Sequence, residues 1–399
     1  MTLRYVFSGE SHGPQATAIL LGLPAGLRVL EADINRDLAR RQAGYGRGER
    51  QQIERDRGLI KSGVRHGLTL GSPLTIVIEN RDWPNWTEVM SPAPVEDTRA
   101  RIITRPRPGH ADLPGVLKWR HADSRNVLER ASARNTTALV AAGAVARQLL
   151  EEFGIALFSH VVALGGIRAD ASGCTLAQRR ENAEASPLRL GDRAREEEIK
   201  LAIDRAKAAG DTLGGVFEVV VTGVPAGLGT CYETPLRLDG RLGQALMSIP
   251  AIKGCEIGIG FGAAERPGSQ VHDAIYFNRQ SGADFLEGHG PTGGFYRKTN
   301  NAGGIEGGIT NGEPIVCRAV MKPIPTLCQP LPSVDFETKE PFQAQHERSD
   351  VCAVPAASIV ATAAVALVLA EVFLEKFGGD HLEDVRAAHD SYVAYLNSR

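Results

Sequence analysis

Apolar positions along the chain recur with two periods. LRYVF (3–7), ATAILLGL (16–23) and LTIVIEN (74–80) are short apolar runs bounded by turn residues, and they read as strands. A helix is predicted between them, near Ala32–Gln42, and a long Ala-rich helix over Ala133–Phe153, entered through SRNVLERASARNTT and closed by Gly154. Next come a strand near Phe158–Gly165, a charged surface helix across Arg193–Ala209, an alternating strand in GGVFEVVVTGV, a helix in LDGRLGQALMSI and a strand in PIVCRAVM. From Val351 to Ala370 no residue is charged. That is long enough to cross a bilayer. The run is dominated by Ala and Val, carries Pro355 early and continues into EVFLEKFGG, which predicts a core helix buried on all sides.

Composition narrows the class. A chain of 399 residues with 43% hydrophobic content supports one large core or two to three ordinary ones. Lys plus Arg (45) nearly cancels Asp plus Glu (47), which argues against a protein that coats nucleic acid or an anionic membrane. Six cysteines without CxxC spacing fit a reducing compartment, and MTLRYVFSGE has no basic segment leading into an apolar run, so a cytoplasmic protein is expected. About half of the arginines fall before residue 135, in the first third of the chain. Arginine rather than lysine suits bidentate grips on phosphate and carboxylate.

Candidate chemistry lies in loops. SGESHG (8–13) and RPRPGHAD (105–112) present His12 and His110 among turn formers, where an imidazole can face a cleft and move protons near neutral pH. RRQAGYGRGER offers Arg41, Arg47 and Arg50; ERASAR offers Arg130, Ser132 and Arg134 at a helix start, a natural anion site. KPIPTL (322–327) is held rigid by two prolines, and HERSDV (346–351) places Arg348 and Asp350 before the apolar helix. The glycine-rich stretch Gly282–Gly312, with His289, Tyr296, Arg297 and Asn300, reads as a loop that approaches a ligand. GIGFGA (258–263) lacks the helix a dinucleotide fingerprint needs, and neither a P-loop nor an HExxH metal motif occurs. GAVARQLLEEFG (143–154) echoes LVLAEVFLEKFG (367–378), about 224 residues later. If the echo reflects a duplication, the two helices pack side by side with their polar entrances facing one site.

Taken in order, SGESHG, RRQAGYGRG, RPRPGHAD, LERASAR, FYRKTNNAGGIEGG, MKPIPTL and HERSDV make the whole chain resemble the chorismate synthase family. The resemblance implies a 1,4-anti elimination of phosphate from 5-enolpyruvylshikimate 3-phosphate, giving chorismate in the shikimate pathway and requiring reduced FMN without net redox change. It implies an α+β fold over 1–399, one domain with a central helical layer between two antiparallel sheets, assembled as a homotetramer. It casts His12 as proton donor to the leaving phosphate, His110 as a group against the flavin, and Asp350 as the base acting, through the flavin N5, on removal of the ring hydrogen. Ser11, Arg41, Arg47, Arg134 and Arg348 would hold the substrate. FMN would meet Arg130, Ala131, Ser132, Pro250, Ala251, Gly307, Lys322, Pro323, Ile324, Pro325, Thr326 and Arg348. Pro250 stands where many relatives carry Gln or Asn, so backbone contact is expected there, and Ala131 replaces a frequent Ser. Glu10 is expected to turn away and pair with an arginine.

Two other readings follow from the same residues. The arginine-rich third could serve an anion-binding or RNA-binding protein. Alternatively, a bifunctional enzyme could reduce flavin with NADPH, its phosphate held by Arg41 or Arg47. No added reductase domain is visible, so NADPH is expected to act only indirectly, through an external flavin reductase.

Overall fold

The N-terminal apolar runs pair into an antiparallel four-stranded sheet, in the order β1 (Arg4–Ser8), β2 (Gln15–Leu21), β4 (Leu74–Glu79), β3 (Gly58–Ser62). The computed structural model describes residues 2–47, 56–95, 101–278, 284–343 and 350–399. Ser8 lies opposite Thr17, which makes SGESHG the start of the loop closing the β1–β2 hairpin. Gly9 is required there: its φ is +113°, and a Cβ would sit 2.3 Å from the Gln15 carbonyl oxygen. Along β2 the pleat buries Ala16, Ala18 and Leu20 in turn.

A second antiparallel sheet has five strands in the order β8 (Ile252–Ile257), β9 (Ile315–Met321), β7 (Gly215–Thr222), β5 (Ala156–Leu164), β6 (Ile167–Arg168). The helices are α1 (Glu31–Gln42), α2 (Asp112–Trp119), α3 (Arg125–Ala131), α4 (Thr136–Glu151), α5 (Leu176–Ala185), α6 (Glu196–Ala208), α7 (Leu238–Met247), α8 (Val354–Phe377) and α9 (Leu382–Asn397). A one-turn helix at Gly268–Val271 completes those among the described residues.

Helix α4 packs on the four-stranded sheet, α8 on β5 and β7 of the other, and the two helices pack on each other. Gly143 makes that contact close, since a Cβ there would lie 2.4 Å from the Ala363 Cβ and 2.5 Å from its Cα. Val140, Val145, Leu149, Ile359, Val365, Leu369 and Phe373 are fully buried in the shared core, each contributing about 1.5–3 kcal/mol by leaving water. Helix α8 is long and apolar enough to cross a membrane, but 94% of its apolar window is buried inside the protein. The two echoing helices therefore do lie side by side.

The structure departs from sequence expectation in three places. The Ala-rich helix begins later, because Ser132 caps a 3₁₀ turn at Ala133–Asn135 and α4 starts at Thr136. The charged helix α6 is not wholly superficial: Ile199, Ile203 and Ala206 form a buried stripe. In the glycine-rich stretch, the four polar and aromatic residues that suggested a ligand-facing loop are engaged within the protein. His289 lies 3.2 Å from the Glu313 carboxylate, which also accepts the Arg297 amide at 2.8 Å. The Arg297 guanidinium pairs with Glu306, Asn300 bonds the Pro314 carbonyl and the Gly304 amide at 2.8 Å each, and Tyr296 is buried. The four residues that marked the segment as ligand-facing tie it to itself.

Candidate active site

The sheets and helices bring the candidate loops into a closed circuit of contacts. Lys322 anchors one side: its amide donates to the Ala251 carbonyl at 3.0 Å and its ammonium to the Gly109 carbonyl. Ala251 turns that carbonyl toward Lys322 from a left-handed conformation, φ +68°. Gly109 precedes His110, and the following α2 packs on α3 with Gly115 beneath Val127. From α3, Glu129 reaches the SGESHG loop.

Beyond α3, Arg134 lies 3.5 Å from Asp56, which Arg41 binds at 2.7 Å. Arg41 also donates to Thr136, at the head of α4, at 3.3 Å. A few residues past α1, Arg47 pairs with Asp350 at 2.8 Å, ahead of α8. The entrances of α4 and α8 thus face one arginine-bearing segment. Val351 then accepts the Leu213 amide at 2.8 Å, and the Thr212 hydroxyl donates to the Ile324 carbonyl at 2.8 Å, which returns the circuit to the KPIPTL loop.

Each candidate histidine has a buried carboxylate and an arginine behind it. Glu129 is 1% exposed and lies 2.9 Å from His12 Nδ1 through both oxygens, while also accepting the His12 amide at 2.8 Å and Arg125 at 3.1 Å. Burial alone would raise the Glu129 carboxyl, but His12, with help from Arg125, holds it below the usual range. His110 Nδ1 lies 2.6 Å from Asp112, which is also 1% exposed and accepts Arg107 Nε at 2.9 Å. Against the upward pull of burial, His110 and Arg107 hold Asp112 far below the ordinary carboxylate range. Trp86 covers the His12 ring at 3.9 Å, its own face flanked by Arg101 and Arg125.

The arginines form a buried cationic wall. Arg41 and Arg134 meet at one carboxylate, Asp56. The buried Nε atoms of Arg41 and Arg47 have no hydrogen-bond partner among the described residues. Burial pulls the Arg47 guanidinium below its ordinary range, with Asp350 opposing the shift. Arginines engaged with buried carboxylates are poor candidates for a nucleic-acid face. The wall suits a small acidic ligand that supplies the missing acceptors.

Other candidates occupy more modest positions. Ser11 is buried and its amide donates to the Glu129 carbonyl at 2.9 Å. Arg130 pins the hairpin by donating to the carbonyls of Phe7 (3.2 Å) and Gly9 (3.4 Å), and Ser132 accepts the Arg134 amide at 3.3 Å. Ala131 ends α3, and Pro250 leads into the Ala251 turn between α7 and β8. Gly307 sits in the turn between Ile305–Glu306 and Ile309–Thr310, beside Cys231. Arg348 and Arg50 lie outside the described residues. Glu10 makes no ion pair among the described residues, and its carboxylate stays near Gly13; the acid that serves this loop is Glu129.

Comparison with known proteins fits this arrangement. The sequence model of the chorismate synthase family matches residues 3–374. The chorismate synthase of Geobacter metallireducens is 58% identical over 396 residues, covering 99% of this chain and 100% of that protein. That of Bacillus cytotoxicus is 54% identical over 398 residues, covering 98% and 99%. A crystal structure of chorismate synthase superposes with a TM-score of 0.79 at 43% identity, covering 100% of this chain and 99% of that one. These matches define the class: an enzyme, a carbon–oxygen lyase of the shikimate pathway. The chain belongs to the chorismate synthase family. An intrinsic NADPH-dependent flavin reductase finds no support in these relatives.

Proposed function

We propose that the circuit of loops is the site at which 5-enolpyruvylshikimate 3-phosphate loses phosphate by 1,4-anti elimination. The observation behind this reading is the circuit that links two histidine–carboxylate pairs with Arg41, Arg47 and Arg134, two of which have buried Nε atoms without acceptors among the described residues. A substrate with two carboxylates and a phosphate supplies those acceptors, and fixed guanidinium groups neutralise it better than mobile ammonium groups. His12 gives a proton to the departing phosphate. Asp350, held by Arg47 beside the head of α8, serves as the base for the ring hydrogen. Ser11 and Arg348 complete the grip on substrate.

The same residues fit an anionic flavin. Pro323 and Pro325 keep the Lys322–Thr326 loop rigid, and Lys322 brings a cation to the His110 loop. Arg130, Ala131, Ser132, Pro250, Ala251, Gly307, Lys322–Thr326 and Arg348 would hold it, with His110 alongside. Reduced FMN, when bound, supplies a transient electron to the allylic phosphate. Contact of α4 with one sheet and of α8 with the other supports reading the architecture as a single domain with a helical layer between two sheets. We place the enzyme in the cytoplasm as a homotetramer, served by an external flavin reductase.

Anaerobic phosphate release from this substrate, measured with and without reduced FMN, tests the proposal. Release only with reduced FMN is expected. Release that ignores the flavin, or none at all, overturns it.

A further inference from the structure

His12 is held at two atoms by one side chain. Its amide and its ring Nδ1 both bond the Glu129 carboxylate, and residues 117 positions apart are thereby locked together. Glu129 also accepts from Arg125 Nη1 and from the His12 amide, so its carboxylate is surrounded by donors, and an ionised carboxylate with the hydrogen on Nδ1 of His12 satisfies every contact. Trp86 closes over the ring face at 3.9 Å and is itself fixed by its indole N–H on Asp82 at 2.7 Å. One edge of the imidazole is clamped by Glu129 and one face by Trp86. Nε2 is the ring nitrogen that Glu129 does not hold.

From this geometry we infer that Glu129 is a positioning residue for the reaction: it orients His12 with Nε2 toward the cleft and stabilises the charged ring that donates a proton to the leaving phosphate. This rests on the function proposed above for His12. The Nε2–H bond breaks as an O–H bond forms on the phosphate, while Nδ1–H stays on Glu129, so the ring ends neutral in a defined tautomer. Solvent returns the proton for the next cycle. Arg125 keeps Glu129 anionic and in place. Among the described residues, the groups that face His12 include Glu129 and Arg125 of α3, with Trp86 carrying Arg101 on its face and Asp82 on its edge.

A double-mutant cycle tests the inference. Glu129→Gln keeps shape but removes charge, and kcat is expected to fall roughly 10²-fold, within the range for general acid catalysis, with KM and FMN binding within about two-fold of the parent. In a His12→Ala background the same change is expected to alter kcat by less than about two-fold, because Glu129 acts through His12. Glu129→Asp, which keeps the charge, is expected to recover part of the loss, and it replaces Glu129→Gln in the cycle if that variant does not fold. Parent turnover in a folded Glu129→Gln, or a full additive loss in the double variant, overturns the inference. Crystal structures of the parent and of Glu129→Gln supply a readout independent of turnover. A His12 ring that keeps its orientation without the carboxylate also overturns it, whereas a parent that releases no phosphate counts against the proposed function instead.

Discussion

Arg47 Nη1 lies 2.8 Å from Asp350 Oδ2, an ion pair joining the loop after α1 to the approach of α8, with the two side chains only 10% and 15% exposed. Removing the charge of Asp350 leaves a largely buried guanidinium uncompensated. Asp350→Asn is expected to lower the stability of the ligand-free enzyme by about 1–3 kcal/mol, less than a fully buried pair would cost, and to slow turnover at least 10²-fold while FMN still binds. Thermal melts with and without phosphate, beside steady-state kinetics, check this. An anion that replaces the lost carboxylate should recover part of the stability.

His12→Ala removes the proposed proton donor and leaves Glu129 with Arg125 and the main-chain amide of residue 12. The expected outcome is a kcat reduced by roughly 10²–10⁴-fold with FMN affinity largely intact. Flavin titration followed by anaerobic turnover measures both. Parent-rate turnover with normal flavin binding contradicts the role given to His12.

At Gly143 α4 packs tightly against α8, and the neighbour a side chain there would strike is Ala363, main chain included. Gly143→Val cannot be absorbed by a side-chain rotation. The variant is expected to lose about 3 kcal/mol or more through overpacking, read as a fall in the urea midpoint. Because both helix entrances frame the site, its residual activity should fall as well.

Outside the site, His160, Glu218, Arg318 and Glu256 lie directly opposite one another across four strands of the larger sheet. Burial would raise Glu218, but His160 at 3.2 Å and Arg318 at 2.8 Å hold it down at about 2, from an ordinary 4.5. A depressed carboxyl stabilises the fold above its unfolded value and loses that contribution as pH falls through the folded value. Stability of the parent should therefore decline between about pH 4.5 and 2 more steeply than that of Glu218→Gln, which starts lower at neutral pH. Chemical denaturation across that range measures the difference.

Much of this was legible in the sequence because it depends on local pattern. Strand alternation in LTIVIEN, the Ala-rich helices and the uncharged run before EVFLEKFGG each bury the face that their periodicity marks. His12 and His110 stood out for the loops that carry them. Their carboxylates did not: Glu129 sits in a helix 117 residues from His12, and only the packing of α3 beneath the hairpin joins them. Asp112, two residues after His110, was within reach of local reasoning. Asp56, which gathers Arg41 and Arg134, is again a tertiary meeting. In the glycine-rich segment, His289, Tyr296, Arg297 and Asn300 were ambiguous because residues that bind a ligand in an open loop can equally cross-link a closed one, and sequence does not show that Glu313 is buried beside His289. Arg130 shows the same ambiguity, since its guanidinium holds main-chain carbonyls of β1 and its turn.

The most direct test is a single anaerobic turnover with stoichiometric reduced FMN, following phosphate, chorismate and the flavin spectrum together. Phosphate and chorismate should appear in equal amounts, with the flavin still reduced at the end. Stoichiometric flavin oxidation, or phosphate release without flavin, would contradict an elimination that uses reduced FMN without net redox change.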